Sequence, residues 1–281
     1  MTPTDTADAS STAVCRAKSQ GGRRCDTHLK QLRPDQLLPP PRPERPTPSW
    51  AGRAGETPTQ LYATEPAQIV NAALNTLLAA LHHEPAMTDQ LHAAVAGHPG
   101  AQLPGLRHRL KSPSSLARKI RTKAIERGLT PDQAAASLDD TIRYTVTTTR
   151  LGDLVPVLNA VVDRLTEQGW TVGSAEHSFL KGNPYKGIHL VLANNEGQRC
   201  EVQFHTEAAL ATKERGHIAY EAYRDLDIPA ADRKRAYNRC VGLWDDVPTP
   251  PGLRKMKTIA GTTIVIKDYR PKPPPRQEDQ R

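Results

Sequence analysis

Two stretches of this chain concentrate side chains that could act on a nucleotide. In Lys181-Gly-Asn183-Pro-Tyr185-Lys-Gly187-Ile-His189, an ammonium, an amide, a phenol ring and an imidazole recur at alternate positions, with Gly187 in the gap. Successive side chains of a strand point to opposite faces, so an extended chain would set these four in one row and turn Ile188, Leu190 and Leu192 toward a core. Downstream, Glu201, Gln203 and His205 alternate in the same way with Val202 and Phe204. The intervening Asn195-Glu196-Gly197 reads as a three-residue hairpin loop, with Gly197 as its left-handed residue. That register sets Val191 opposite Glu201 and His189 opposite Gln203. The resulting wall could hold a base and a sugar and draw a proton from a hydroxyl. A hairpin with an ordinary solvated face shows the same alternation.

The second concentration is of charge. From Pro104 to Leu129 stand eight basic residues (Arg107, Arg109, Lys111, Arg118, Lys119, Arg121, Lys123, Arg127) against one acid, Glu126. Ser112 and Pro113 read as the N-cap and first position of a helix that ends at Gly128. Unpaired N–H groups and the dipole at such a helix start favour anions. On its own the run could equally be a solvated helix face. The formal net charge of +8 over 281 residues points to an anionic partner: nucleotide, nucleic acid or membrane surface.

No apolar run approaches the roughly 18 residues of a membrane span, and the polar N-terminus has no hydrophobic signal region. Four cysteines make no disulfide framework. The chain therefore reads as cytoplasmic, with no membrane partner. Cys15, Cys25 and His28 are possible zinc ligands at a spacing standard for no zinc site.

These residues need elements to position them. Residues 1–64, rich in Ser, Thr, Pro and Arg, read as a disordered N-terminal region. Residues 65–246 read as one domain, and 247–281 as an extension with a disordered tail. Within the domain, helices are expected over 66–85, 112–128, 153–169, 207–224 and 229–247, on apolar periodicity and caps. The helix near 153–169 has the clearest stripe: Leu154, Val155, Leu158, Val161, Val162 and Leu165. Strands are expected over 139–148, 170–180, 185–193 and 198–206, with a last one near 262–269. The alternation predicts an α/β domain, a mixed β-sheet flanked by helices.

In this order, the pieces Arg109-Leu-Lys111-Ser-Pro-Ser-Ser115, Asp139-Asp140-Thr-Ile-Arg143, Lys181 through His189, Glu201-Val-Gln203 and Lys213-Glu-Arg-Gly-His217 resemble the RelA/SpoT-type nucleotide pyrophosphokinase domain, over roughly residues 100–225. The resemblance implies a nucleotidyltransferase-like fold and Mg²⁺-dependent transfer of pyrophosphate from ATP to a nucleotide 3′-hydroxyl. It places Arg109, Lys111, Ser115 and Lys119 on ATP. Lys181, Asn183, Tyr185 and His189 fall on the acceptor, with Tyr185 stacking on its base. Glu201, Gln203 and Arg143 form the catalytic set, with Glu201 also a metal ligand. The family's second metal-binding Asp lies five residues before the strand Arg, where this chain has Leu138. Asp140 keeps that residue's opposite strand parity to Arg143, Asp139 does not, and Asp140 is taken as the ligand.

The implied acceptor is GDP or GTP, giving a (p)ppGpp-like alarmone. Adenine nucleotides or the tRNA 3′ end, as in toxin-type relatives, are alternatives. An antitoxin or immunity partner would accompany a toxin. The family's hydrolase carries a His-Asp dipeptide, which is absent here, so synthesis without degradation is expected. A non-catalytic nucleotide- or nucleic-acid-binding protein is the reading from another class.

Overall fold

Caps and apolar stripes set the helices of this chain, and β-branched runs set its strands. The computed structural model describes residues 29, 42, 45–48, 58–225 and 227–271. The Cys15, Cys25 and His28 motif and the tail beyond Pro271 lie outside them. The chain divides into two units, one of Met1–His92, Gly105–Tyr144 and Glu196–Glu201, the other of Ala93–Pro104, Thr145–Asn195 and Val202–Arg281.

In the first unit, α1 (Pro58–Thr64) precedes α2 (Ala67–Ala96). Structure thus begins before residue 65. Leu61 of α1 is buried, as are Leu29 and Arg45, and the Arg45 Nε lies 3.2 Å from Asp89. The helix expected over 66–85 continues through Pro85 to Ala96. An interior proline costs about 3 kcal/mol. Burial of Leu74 and Leu77 before it and of Met87 and Leu91 after it opposes that cost. Next, α3 (Pro113–Arg127) starts where its cap predicts. Ser112 Oγ accepts from the Ser115 N–H at 3.4 Å, and Gly128, at φ 62°, closes it. Helix α4 (Pro131–Ala136) opens on a Thr130/Gln133 capping box.

In the second unit, α5 (Leu154–Glu167) buries every residue of its expected stripe. Two more helices, α6 (Glu207–Arg224) and α7 (Ala230–Asp245), follow later in the chain.

The strands are β1 (Ala101–Gln102), β2 (Arg143–Thr148), β3 (Thr171–His177), β4 (Ile188–Ala193), β5 (Arg199–Thr206), β6 (Thr258–Ile259) and β7 (Thr262–Ile266). They form one sheet in the order β1-β2-β5-β4-β3-β7-β6. Pairs β1/β2, β3/β4 and β6/β7 are antiparallel, and β3/β7 is parallel. The fold is the expected mixed α/β arrangement. Gly197 before β5 has φ 80°, as a left-handed loop residue should.

One expectation fails. The row from Lys181 to His189 is not a strand, because β4 begins only at Ile188. Pro184 has no N–H to give a ladder, and Gly182 sits at φ 78°, so the chain turns instead of extending.

Candidate functional site

In the first unit, three backbone segments lie side by side. Lys111 donates its N–H to Thr141, Arg143 to Arg109 and Glu201 to Ile142, at 2.8–3.0 Å. This pairing gathers the expected donor-side residues. Lys111 Nζ and Lys119 Nζ both lie 2.7 Å from the same oxygen of Asp140, Oδ2. Burial alone would push the Asp140 carboxyl up, but the two ammonium groups outweigh it and hold the carboxyl down at about 2. Arg143 is exposed, with its Nε 3.4 Å from the His108 carbonyl. Ser115 is half-buried in the first turn of α3. Asp139 is turned away to Arg199, at 2.7 Å.

The depressed Asp140 has a consequence for pH. Its contribution to stability should be complete above its ordinary value of 3.8 and disappear as pH falls toward about 2, where the folded form takes up its proton. Denaturant midpoints measured down this range should fall more for the parent than for Asp140→Asn. Parallel curves would show that the two lysines do not hold a carboxylate there.

Arg109 is the correction in this unit. It was expected on ATP, yet it is 1% exposed and its Nε donates to Glu84 Oε1 at 2.5 Å. Its Nη2 donates to Glu84 Oε2 at 3.4 Å, and its Nη1 serves the carbonyls of Pro46 and Leu106 at 2.6 and 2.7 Å. Glu84, also buried, accepts from Thr88, whose hydroxyl lies 2.8 Å from that of Tyr144. A guanidinium with its forks filled inside a core is a tether. Glu84 was not foreseen, although it is one of two acids in α2 and stands beside its proline.

The Oδ1 of Asp140 is buried without a hydrogen-bond partner, and, with Asp139 held by Arg199, half-buried Glu201 is the second carboxylate on these segments that could bind a cation. Among the described residues no cluster of three or more His, Cys, Asp or Glu is arranged to hold a metal. Two carboxylates without a closed cage suit Mg²⁺, which takes few protein ligands and completes its shell from substrate phosphate and water.

In the second unit, the turn at 181–187 replaces the expected row. The Asn183 amide is committed to backbone. It donates to the Ser178 and Lys267 carbonyls at 2.8 and 2.9 Å and accepts from the Tyr269 N–H at 3.0 Å. It therefore shapes the loop and does not reach for a ligand. Tyr185 folds back into the core at 7% exposure, in edge contact with Trp244, Tyr220 and Tyr269 at centroid distances of 5.2–6.4 Å. No base can stack on a ring so covered. Its hydroxyl meets two imidazoles, His189 Nε2 at 2.6 Å and His205 Nε2 at 3.0 Å.

The same turn leaves Lys181 exposed and His189 half-buried. Lys186, unforeseen, is buried and donates to the Val247 carbonyl at 2.9 Å. Gln203 is buried and accepts from Lys213 of α6 at 2.6 Å. Lys213 stood in a recognised piece of sequence without an assigned role, and only the fold reveals its partner.

A family model described as "Region found in RelA / SpoT proteins" matches residues 108–226. No curated protein matches the chain. Among solved structures, small alarmone synthetase 1 from Bacillus subtilis is 17% identical, with a TM-score of 0.40 over 59% of this chain and 86% of that one. A GTP pyrophosphokinase family protein from Streptococcus pneumoniae is 19% identical, at 0.36 over 58% and 90%. The complex between the Type VI effector Tas1 and its immunity protein gives 15% and 0.39, over 68% and 97%. Lys111, Asp140, His189, Glu201 and Lys213 all lie inside the matched residues.

Proposed function

We propose that the chain is an Mg²⁺-dependent pyrophosphokinase, transferring the β,γ-pyrophosphate of ATP to the 3′-hydroxyl of a nucleotide. The observation that carries this reading is Asp140 holding Lys111 and Lys119 at 2.7 Å within a RelA/SpoT region. Two ammonium groups are thereby fixed beside the start of α3, where a triphosphate of about four negative charges needs them before it arrives. The acceptor oxygen attacks the β-phosphorus, the bond from that phosphorus to the α-phosphate oxygen breaks, and AMP leaves. Lys111, Lys119 and Arg143 stabilise charge on the phosphates. Glu201 takes the proton of the attacking hydroxyl. Mg²⁺, when bound by Asp140 and Glu201, supplies charge screening at the phosphates. His189 and Lys181 serve the acceptor nucleotide, for which we favour GDP or GTP.

The decisive assay offers γ-labelled ATP together with GDP, GTP, AMP, ATP or tRNA. A labelled guanine product with AMP release is expected. A product with adenine nucleotide or tRNA alone would change the acceptor and keep the reaction. Binding to nucleic acid that weakens steeply with salt, with no ATP turnover under any condition, would replace the enzyme with a binding protein.

A further inference from the structure

The second unit holds a line of three groups, of which only His189 has a role in the proposed transfer. His205 Nε2, Tyr185 Oη and His189 Nε2 follow one another at 3.0 and 2.6 Å. The arrangement is built closely. A Cβ at Gly187 would fall 2.5 Å from Tyr185 Oη and 2.7 Å from His205 Cε1, so only glycine lets the phenol hydroxyl reach both rings. The rings meet edge to face, Tyr185 with His189 at 5.4 Å and with His205 at 5.9 Å, which limits their rotation.

Distances alone allow the protons to run in either direction along this line. The far nitrogen of His205 decides between them. His205 is fully buried, and its Nδ1 has no hydrogen-bond partner. If the line ran from His189 to His205, the His205 proton would sit on Nδ1 as a buried donor without an acceptor. Orphaned buried donors are rarer than orphaned lone pairs. A doubly protonated ring is disfavoured as well, since burial, then Lys213 and His189, push the His205 pKa well down. The proton therefore belongs on Nε2.

We infer that His205 and Tyr185 set the tautomer of His189: His205 Nε2–H donates to Tyr185 Oη, Tyr185 O–H donates to His189 Nε2, and His189 keeps its proton on Nδ1. His189 is then a neutral imidazole of fixed tautomer. Its use for the acceptor rests on the proposed function. Tyr185 and His205 are positioning residues and touch no substrate. On this account Tyr185 stands near the acceptor group for its hydroxyl and not for its face, so phenylalanine is no substitute.

The test is the ¹⁵N spectrum of the imidazoles in the nucleotide-free full chain, at a pH where histidines are neutral. The His189 signals are identified by their loss in His189→Asn. The expected result is a protonated Nδ1 and an unprotonated Nε2 in the parent. In Tyr185→Phe, which removes one oxygen and keeps the packing, the Nδ1–H form should give way to a mixture or to Nε2–H. A parent His189 protonated on Nε2 overturns the inference, and so does a folded Tyr185→Phe with an unchanged tautomer. If Tyr185→Phe fails to fold, the parent spectrum still decides. Because no nucleotide is present, a failed transfer assay leaves this result standing. An active enzyme with Nε2–H at His189 would sink the tautomer assignment alone.

Discussion

Glu201→Gln is expected to abolish pyrophosphate transfer, with a loss of at least about 100-fold, near 2.7 kcal/mol of transition-state stabilisation. Glutamine matches glutamate in size and hydrogen-bonding reach, so what is lost is the negative charge. That charge is what a base needs to take a proton from a hydroxyl, and what a divalent cation needs in a ligand. The fold should survive. The backbone N–H of Glu201, bonded to Ile142 at 3.0 Å, is untouched by the change, and the side chain is half-buried. Transfer rates on folded protein, checked by circular dichroism, give the answer. Activity within about tenfold of the parent would remove Glu201 from the chemistry.

A different kind of loss is expected at the first unit's buried ion pair. Arg109→Ala should lower stability by about 3–5 kcal/mol, since Glu84 would remain as a buried charge without its partner. Both side chains are fully buried, and the arginine also closes two backbone carbonyls. Arg109→Lys should restore little, because one ammonium cannot span the sites that the guanidinium fork fills. Denaturant unfolding of the three proteins measures this. If Arg109→Ala unfolds with the parent while its apparent KM for ATP rises tenfold or more, the arginine belongs to the phosphates, as its sequence motif suggests, and not to the core.

That contrast marks where the sequence was informative. Ser112, Pro113 and Gly128 announced α3 to the residue, because caps are local chemistry. The stripe of α5 was equally readable, since one apolar face at helical spacing has one use. The Lys181–His189 stretch misled because alternation was weighed above turn chemistry. Gly182, Asn183 and Pro184 in succession are poor material for a strand, and they mark a turn. What no local pattern contains is partnership across distance. Nothing near Asp140 foretells that one of its oxygens holds two lysines, nothing near Arg109 names Glu84, and the parallel pairing of β7 with β3 depends on residues far apart in the chain.

The Asn183 amide has a bearing on biosynthesis. Two of its three hydrogen bonds go to residues 84 and 86 positions further along the chain, Lys267 and Tyr269. Those residues follow β7, which must first cross over to lie parallel to β3. On a ribosome, the segment through residue 226 emerges with all the matched residues, yet the amide then has only the Ser178 carbonyl as a partner. Contacts so distant in sequence form late and slowly. The loop at 181–187 is therefore finished only by the last strand to be made, and a chain cut short before residue 262 keeps all the matched residues without the contacts that Asn183 makes to Lys267 and Tyr269.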